Sequence, residues 1–368
     1  MLGRRHVTGR HEYGAPSADL DAPLWETPAR PAGAETLPAQ EPAGPEDLTI
    51  PDWEPRDAWS PQPEDLHPEI ADPPETGWRR MAWRAGAHWV GPGGRERRHR
   101  DLAAEIRRPV SSPKVIAVLS PKGGVGKSTT AAALGGVLAR MRGDLVAALD
   151  ADPDAGNLVT FLGEPGSAFG AGGLHRDADQ VARYGDLAPY LTRSESGLCV
   201  VRSNPVADGR LGPAEYRHLL KILARFYSII VVDLGMGMRE PAFRAVMETS
   251  DGVVAVTGPS PDAAEVLMDG LEWLSGRFPS VIRTATAVIN EVEPPPGGVD
   301  MDRMAEALED RVAEVVRVPH DAHLAHGGGP QWAMLGQRTQ DAYLELAATV
   351  VDALPGGADV TTHRGGDR

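Results

Sequence analysis

Short apolar runs alternate with helical patterns over residues 111–354. Runs that predict strands lie at 115–119, 145–149, 198–202, 229–232, 252–257, 281–289 and 312–318. Helix-like spacing of apolar residues predicts helices at 128–141, 213–226, 240–249, 261–277, 301–311 and 338–353. Because the strand runs are apolar at consecutive positions rather than at every second one, they indicate a buried sheet. The pattern therefore predicts an α/β fold with a mostly parallel sheet and helices on both faces.

Residues 1–75 show neither the helical nor the strand period. They are rich in Pro, Ala, Glu and Asp, a composition that buries too little apolar surface to offset chain entropy. We therefore expect a disordered arm, and a flexible tail over residues 355–368. Trp25, Trp53 and Trp59 interrupt the arm, and they are interpreted either as docking anchors or as solvated linker aromatics.

The sign of the charge reverses in residues 76–110. This segment contains nine arginines and three tryptophans, and two interpretations stay open. It is either a basic, aromatic-rich arm for nucleic acid or anionic lipid, or a helix that packs beside the sheet domain with exposed arginines. Apolar spacing at Leu102 and Ile106 favours a helix over residues 97–108.

Charge, cysteine content and hydropathy narrow the function classes. The 368 residues carry a net charge of −15, mostly on the sheet region, which disfavours non-specific DNA binding by that region. The single Cys199 excludes an internal disulfide framework and fits a reducing cytoplasm. Because no apolar run approaches the ~18 residues that cross a bilayer, we expect a soluble chain.

A glycine- and lysine-rich loop lies between the first predicted strand and the first predicted helix of the sheet region. It reads Ser-Pro-Lys-Gly-Gly-Val-Gly-Lys-Ser-Thr-Thr from Ser120 to Thr130, and strand, loop and helix in this order are typical of a phosphate-binding loop. Glycine lets the backbone turn its N–H groups towards a phosphate, and the N-terminus of the following helix adds positive potential. The loop predicts nucleotide binding by Gly123, Gly124, Val125, Gly126, Lys127, Ser128 and Thr129.

Three aspartates follow predicted strands and complete the expected chemistry. Asp150 and Asp152 come after the second strand, and Asp233 ends the fourth. Ligands of parallel sheets bind at the carboxyl ends of the strands, so these carboxylates are expected near the loop. Asp233 is predicted to hold Mg²⁺ through water, while Lys127 contacts the β- and γ-phosphates and Ser128 binds Mg²⁺.

The loop departs from the general phosphate-loop pattern at two positions. Pro121 stands where that pattern has glycine, and Lys122 is a second lysine that it does not require. The form Lys-Gly-Gly-x-Gly-Lys-Ser resembles the deviant Walker A motif of the MinD/ParA ATPases. This resemblance implies a P-loop NTPase fold, ATP and Mg²⁺ as cofactors, and slow ATP hydrolysis that a partner stimulates. It also implies an ATP-dependent homodimer in which the catalytic Lys122 reaches the phosphates bound by the other subunit.

Further motifs extend the resemblance. The Asp-Ala-Asp stretch at Asp150 resembles the family's switch I, which implies that Asp152 positions the hydrolytic water and that Asp150 is a supporting Mg²⁺ ligand. Asn290 resembles an asparagine that pairs with adenine, and a strand-terminating turn residue is its alternative interpretation. Pro319 lies in a stretch that resembles the loop flanking the base.

Within the family, several less specific sequence stretches most resemble the type VII secretion-associated MinD-like ATPases of actinobacteria. They include the Pro/Ala-rich N-terminus, GWRR from Gly77, GRERRHRDLAAEIRRP before the first strand, and RTQDAYLELA from Arg338. The resemblance implies a cytoplasmic switch, recruited to a membrane complex, that regulates a secretion partner through residues 1–110. Two other classes stay open: a partitioning ATPase that binds DNA non-specifically, and a nucleotide-responsive scaffold with negligible hydrolysis.

Overall fold

The computed structural model describes residues 73–356, with gaps at 76, 88–89, 153–157, 163–166, 168, 204–209, 236, 239, 295–296, 298 and 328. The predicted arm, apart from its last three residues, and residues 357–368 of the predicted tail lie outside the described residues. The described chain opens with two helices, α1 (Gly77–Arg84) and α2 (Gly94–Ile106). Both belong to the basic segment 76–110.

Eight strands in the described part of the chain form one sheet. They are β1 (Lys114–Leu119), β2 (Val146–Ala151), β3 (Leu191–Arg193), β4 (Cys199–Val201), β5 (Ile229–Leu234), β6 (Gly252–Thr257), β7 (Thr286–Asn290) and β8 (Glu314–Val318). Their spatial order is β3-β4-β2-β5-β1-β6-β7-β8. Every pairing is parallel except that of β3 with β4. The carboxyl ends of the parallel strands therefore meet at one edge, which carries the loop of Ser120–Thr130.

Helices connect the strands and cover both faces of the sheet. They are α3 (Lys127–Met141), α4 (Ala171–Arg176), α5 (Pro213–Leu223), α6 (Pro241–Met247), α7 (Pro261–Ser275), α8 (Pro279–Ile282), α9 (Met301–Glu309), α10 (Ala322–Ala325) and α11 (Gln337–Ala353). Proline in the first turn begins α5 to α8, where its missing N–H costs no helical hydrogen bond. No helix in the described ranges is both long and apolar enough to span a bilayer.

The alternation of side chains along each strand separates two apolar layers. On β1, Ile116 and Val118 pack on one face with α3, α11 and the end of α2. Val115, Ala117 and Leu119 pack on the other face with α5, α6, α7 and α9. The predicted α/β fold, with a mostly parallel sheet and helices on both faces, is thus confirmed.

Two details of the strand prediction were wrong. The apolar run at 281–289 is not one strand, because its first residues complete α8 and the strand starts only at Thr286. Pro279 favours the short helix, and the side chain of Ile282 is buried in the core. The structure also adds β3, which the sequence did not predict because three residues, only one of them strongly apolar, show no pattern.

The packed-helix interpretation of residues 97–108 agrees with the position of α2. Ile106, the last residue of α2, is fully buried in the apolar layer that α3 and α11 also form. Its carbonyl accepts a hydrogen bond of 2.7 Å from the buried guanidinium of Arg142, which follows α3. Arg142 also binds both carboxylate oxygens of Asp144, at 2.8 and 2.6 Å. The end of α2 is therefore fixed to the sheet domain by apolar contact and by a bound carbonyl.

Candidate nucleotide-binding site

The phosphate loop has a fixed backbone shape. The Ser120 hydroxyl accepts a hydrogen bond from the Lys122 amide at 3.2 Å and donates to the Lys122 carbonyl at 2.9 Å. Gly124 and Gly126 adopt φ angles of +77° and +83°, in the left-handed region that side chains disfavour. The exposed backbone of Gly123 and Gly124 leaves this turn open to a ligand.

Asn290 ends β7, two strands from β1, and its side chain contacts the phosphate loop. Its side-chain amide donates to the Val125 carbonyl at 2.9 Å, and a Cβ at position 126 would overlap the Asn290 Nδ2 atom. Gly126 is therefore required both by its φ angle and by the close approach of Asn290. The expected pairing of Asn290 with adenine stays a prediction, and the structure adds a contact with the loop itself.

Lys127, the first residue of α3, is directed inward. It is buried and forms an ion pair with Asp233 Oδ1 on β5, and its ammonium also lies 3.4 Å from the Ser128 hydroxyl. Asp233 is fully buried, and its second oxygen, Oδ2, has no hydrogen-bond partner among the described residues. The structure thus brings Lys127, Ser128 and Asp233 together in one cluster.

Asp150 lies beside Asp233 in the register of β2 and β5. Both side chains face α3, because they continue the alternation that buries Ala148 and Val231 on that face. Burial, and then the charge of Asp233, raise the pKa of Asp150 from 3.8 to about 7. Burial also raises the pKa of Asp233, against the lowering effect of Lys127. Two neighbouring carboxylates share one lysine, so the cluster favours a further cation.

Asp152 directly follows β2, and its backbone N–H donates to Asp150 Oδ1 at 3.2 Å. The amide of Leu158 donates to Asp150 Oδ2 at the same distance, so Asp150 fixes both ends of the Asp-rich turn. Residues 153–157 lie outside the described residues.

Sequence reasoning missed Tyr216 on α5. Burial, followed by the charges of Asp150, Asp152 and Glu240, raises the pKa of the Tyr216 hydroxyl to about 12. The charges of the predicted switch I carboxylates therefore reach Tyr216, although α5 packs on the face of the sheet opposite to α3. No sequence pattern marks it, because it occupies an ordinary apolar position of an amphipathic helix.

Lys122 is directed away from this cluster. Its ammonium forms an ion pair with Asp262, an exposed residue in the first turn of α7. Pro121 and Met238 both approach Gly270 of α7, where an added Cβ would lie 3.6 Å from Pro121 Cγ and 2.7 Å from Met238 Cε. The two departures from the general loop pattern thus both contact α7.

The remaining predicted residues lie in or beside the loop, except Pro319. Val125 is buried, and Ser128 and Thr129 are half-buried in the first turn of α3. Pro319 follows β8, three strands from β1, and lines a groove of about 500 Å³ that α2 and α11 also line. The structure therefore assembles the phosphate and metal residues closely and places Pro319 at a distance.

The donor set fits a nucleotide and magnesium. The unpartnered Asp233 Oδ2, the Ser128 hydroxyl and Asp150 supply the hard oxygen ligands that Mg²⁺ requires. The left-handed glycines and the start of α3 supply backbone N–H groups for a polyanion. Among the described residues, no group of three or more His, Cys, Asp and Glu side chains forms a metal site by itself, so phosphate oxygens would complete the coordination.

Comparison with known families identifies the protein family to which this chain belongs. The model of the CobQ/CobB/MinD/ParA nucleotide-binding domain matches residues 116–326. The chain belongs to this family. The resemblance to MinD/ParA ATPases drawn from the phosphate loop is confirmed, and this MinD/ParA-family protein is a nucleotide-binding protein.

Curated relatives include a secretion-associated protein. The ESX-1 secretion-associated protein EspI of Mycobacterium tuberculosis is 32% identical over 291 residues, which is 76% of this chain and 42% of EspI. The chain thus spans less than half the length of that relative. An uncharacterized ATP-binding protein of Methanocaldococcus jannaschii is 26% identical over 65% of this chain and 88% of its own length.

Solved structures show the same fold at low sequence identity. A ParA family ATPase from Chlorobium tepidum has a TM-score of 0.54 at 19% identity, covering 64% of this chain and 98% of its own. The cell division ATPase MinD of Pyrococcus furiosus has a TM-score of 0.51 at 19% identity, covering 65% and 98%. Both support the fold of the MinD/ParA-family protein.

Proposed function

We propose that this protein is an ATP-hydrolysing switch that dimerises when it binds ATP and regulates a secretion partner. The observation that carries the proposal is the opposite direction of the two lysines of one loop. Lys127 is buried against Asp233, whereas Lys122 reaches the surface and pairs only with exposed Asp262 among the described residues. A surface lysine beside a phosphate loop is available to the nucleotide of a second copy.

Each residue has a defined task in this proposal. Backbone amides of Gly123–Gly126, with Lys127 and Thr129, bind the phosphates, and Asn290 and Pro319 contact the base. Ser128 and Asp233, supported by Asp150, hold Mg²⁺, which supplies charge neutralisation of the phosphates. Asp152 orients the attacking water, and Lys122 stabilises the negative charge that develops on the phosphates of the other subunit.

Three variants test the proposal by nucleotide binding, dimerisation and turnover. Lys127→Ala should lose ATP binding. Asp152→Ala should bind ATP, accumulate dimers and lose turnover by about 10²-fold or more, as expected when a water-positioning group is removed. Lys122→Ala should bind ATP but remain monomeric in sedimentation with Mg²⁺ and a non-hydrolysable analogue. Lys221→Ala, on the exposed side of α5, is the matched lysine control.

Two results would contradict this assignment. Normal ATP hydrolysis by Asp152→Ala would remove the switch I role, and nucleotide-dependent dimers of Lys122→Ala would remove the role in trans. Dimers that form without any turnover in the wild type would instead support the nucleotide-responsive scaffold.

The proposed partner belongs to a secretion system of the cytoplasmic membrane, contacted through residues 1–110. The similarity to EspI supports this class, and the type VII expectation from the sequence agrees with it. We place the protein in the cytoplasm, recruited to that complex by its partner. ATP turnover measured with purified secretion components, with DNA and with lipid vesicles tests the partner, since the secretion components should stimulate it and stimulation by DNA or vesicles alone would contradict this choice.

DNA partitioning is the less favoured function. Arginines of α2 that would contact phosphates are instead paired with acids of α11, as in Arg95 with Asp341 and Arg98 with Glu345. ATP-dependent DNA binding that weakens steeply with salt would overturn this preference.

A further inference from the structure

Two histidines face each other outside the nucleotide site, between α4 and α5. His175 lies in the last turn of α4, and His218 lies in the middle of α5. Their Nδ1 atoms are 3.3 Å apart, and the rings meet edge to face with centroids 5.2 Å apart. Two separate elements therefore direct the same ring nitrogen to one point.

The distance between the two Nδ1 atoms matches the distance between two nitrogen ligands of one tetrahedral metal ion. Zinc–nitrogen bonds of about 2.0–2.1 Å at a tetrahedral angle place two ligand nitrogens about 3.3–3.4 Å apart. A square-planar arrangement at the same bond length would require about 2.9 Å. A direct N–H···N hydrogen bond, with one Nδ1 protonated and the other accepting, joins the two rings when no ion lies between them. The spacing thus fits a shared tetrahedral ion that takes the place of this hydrogen bond, and it is too long for a square-planar ion.

Buried neighbours fix the two histidines in this position. Leu174 precedes His175 and Leu219 follows His218, and both leucines are fully buried in the same apolar layer. Because each helix is held by the adjacent leucine, the imidazoles approach without further ordering of the backbone. The nearby charge of Arg217 is offset by its ion pair with Glu248, 3.1 Å away.

We propose that His175 and His218 form a zinc site that ties α4 to α5. Imidazole is a preferred zinc ligand, and the exposure of His218 and partial exposure of His175 leave the remaining coordination positions to water. No group of three or more potential ligands forms within the described ranges, so the described residues supply two ligands to the site. It binds reversibly, and it is independent of nucleotide.

Zinc binding to the full-length chain tests the site. Calorimetric titration with zinc alone, without nucleotide or magnesium, is made at about pH 7.5. His175→Asn and His218→Asn should each weaken the same binding event by about tenfold or more, since loss of even an outer-shell partner of a metal ligand costs about 10–100-fold. His326→Asn, which changes another exposed histidine, is the matched control.

Nitrogen-15 spectra of the histidine rings give a second, residue-specific readout. Zinc should shift the Nδ1 resonances of both His175 and His218 together, and the two Nε2 atoms should keep their protons. Zinc binding that is unchanged in both single variants, or Nδ1 resonances that do not move at saturation, would overturn the proposal. Circular dichroism of each variant confirms that the fold is retained, as the half-exposed positions predict.

Discussion

The molecule contains two groups of ion pairs that differ in their access to water. At the sheet edge, Lys127 pairs with the fully buried Asp233, beside Asp150. On the α2–α11 face, Arg98 and Glu345 pair at 2.9 Å while their side chains remain 64% and 46% exposed. Both are ion pairs between a basic side chain and a carboxylate, but the first is buried and the second is exposed to solvent. Water screens the second pair, whereas the first cluster, when both of its carboxyls are ionised, holds two buried negative charges against one lysine.

This difference separates groups that bind ligands from groups that cover the surface. A buried carboxylate pair with a single lysine is unfavourable without a further cation, so its residues are explained by a ligand rather than by stability. The surface arginines need no such explanation, because each is solvated with or without its partner. Of the two charged regions, only the cluster at the sheet edge has the properties of a functional site.

The largest predicted effect concerns the pH dependence set by Asp150. Its pKa is raised from 3.8 to about 7 in the folded chain, so between these values the folded state binds more protons than the unfolded state. The free energy of unfolding should therefore fall as pH rises from about 4 to about 7, by at most about 4 kcal/mol at ~1.4 kcal/mol per pKa unit. Asp150→Asn should flatten this fall in urea unfolding of the nucleotide-free protein.

Asp269→Asn, at an exposed position of α7, is the matched control and should leave the pH profile unchanged. If Asp150→Asn and wild type lost stability in parallel between pH 4 and pH 7, the pKa of the Asp150 carboxyl would not be raised in the folded chain. The proposed difference between the buried carboxylate cluster and the solvent-exposed ion pairs would then be wrong.

The second prediction asks what holds α2 in place. Ile106 is fully buried with α3 and α11, so Ile106→Ala should lower the free energy of unfolding by about 3 kcal/mol through lost burial and a residual cavity. Hydrogen exchange along α2 should become faster. A cost smaller than that of removing one surface arginine would show that ion pairs, and not apolar contact, attach this helix.

The sequence predicted the elements whose signal is local. The strand at 252–257 matches β6 at both ends, because an uninterrupted apolar run was flanked by turn residues. The phosphate loop and the Asp233 strand were also found, since glycine, lysine and aspartate at fixed spacing have few other uses. The spacing of Leu102 and Ile106 predicted the helix over residues 97–108, whereas its packing beside the sheet domain was one of two open interpretations.

Contacts between distant parts of the chain could not be predicted. The Asn290 bond to Val125, the Lys122 pair with Asp262 and the approach of His175 to His218 each join residues more than 40 positions apart. A single sequence contains no record of such a pairing, because propensity and periodicity describe only neighbouring residues. For the same reason the sequence marks Tyr216 only as part of a helix pattern, and the effect of the carboxylate charges on its hydroxyl depends on the packing of α5.

The smallest predicted effect is at the surface pair of Arg98 and Glu345. Arg98→Ala should change the free energy of unfolding by no more than about 0.5 kcal/mol, because exposed pairs gain little and lose side-chain entropy. A double-mutant cycle with Glu345→Ala should give a coupling energy in the same range that disappears at about 1 M salt, where the Debye length falls to ~3 Å. A coupling of several kcal/mol that persisted in salt would place this pair with the buried cluster and give the α2 arginines a structural role that their exposure does not predict.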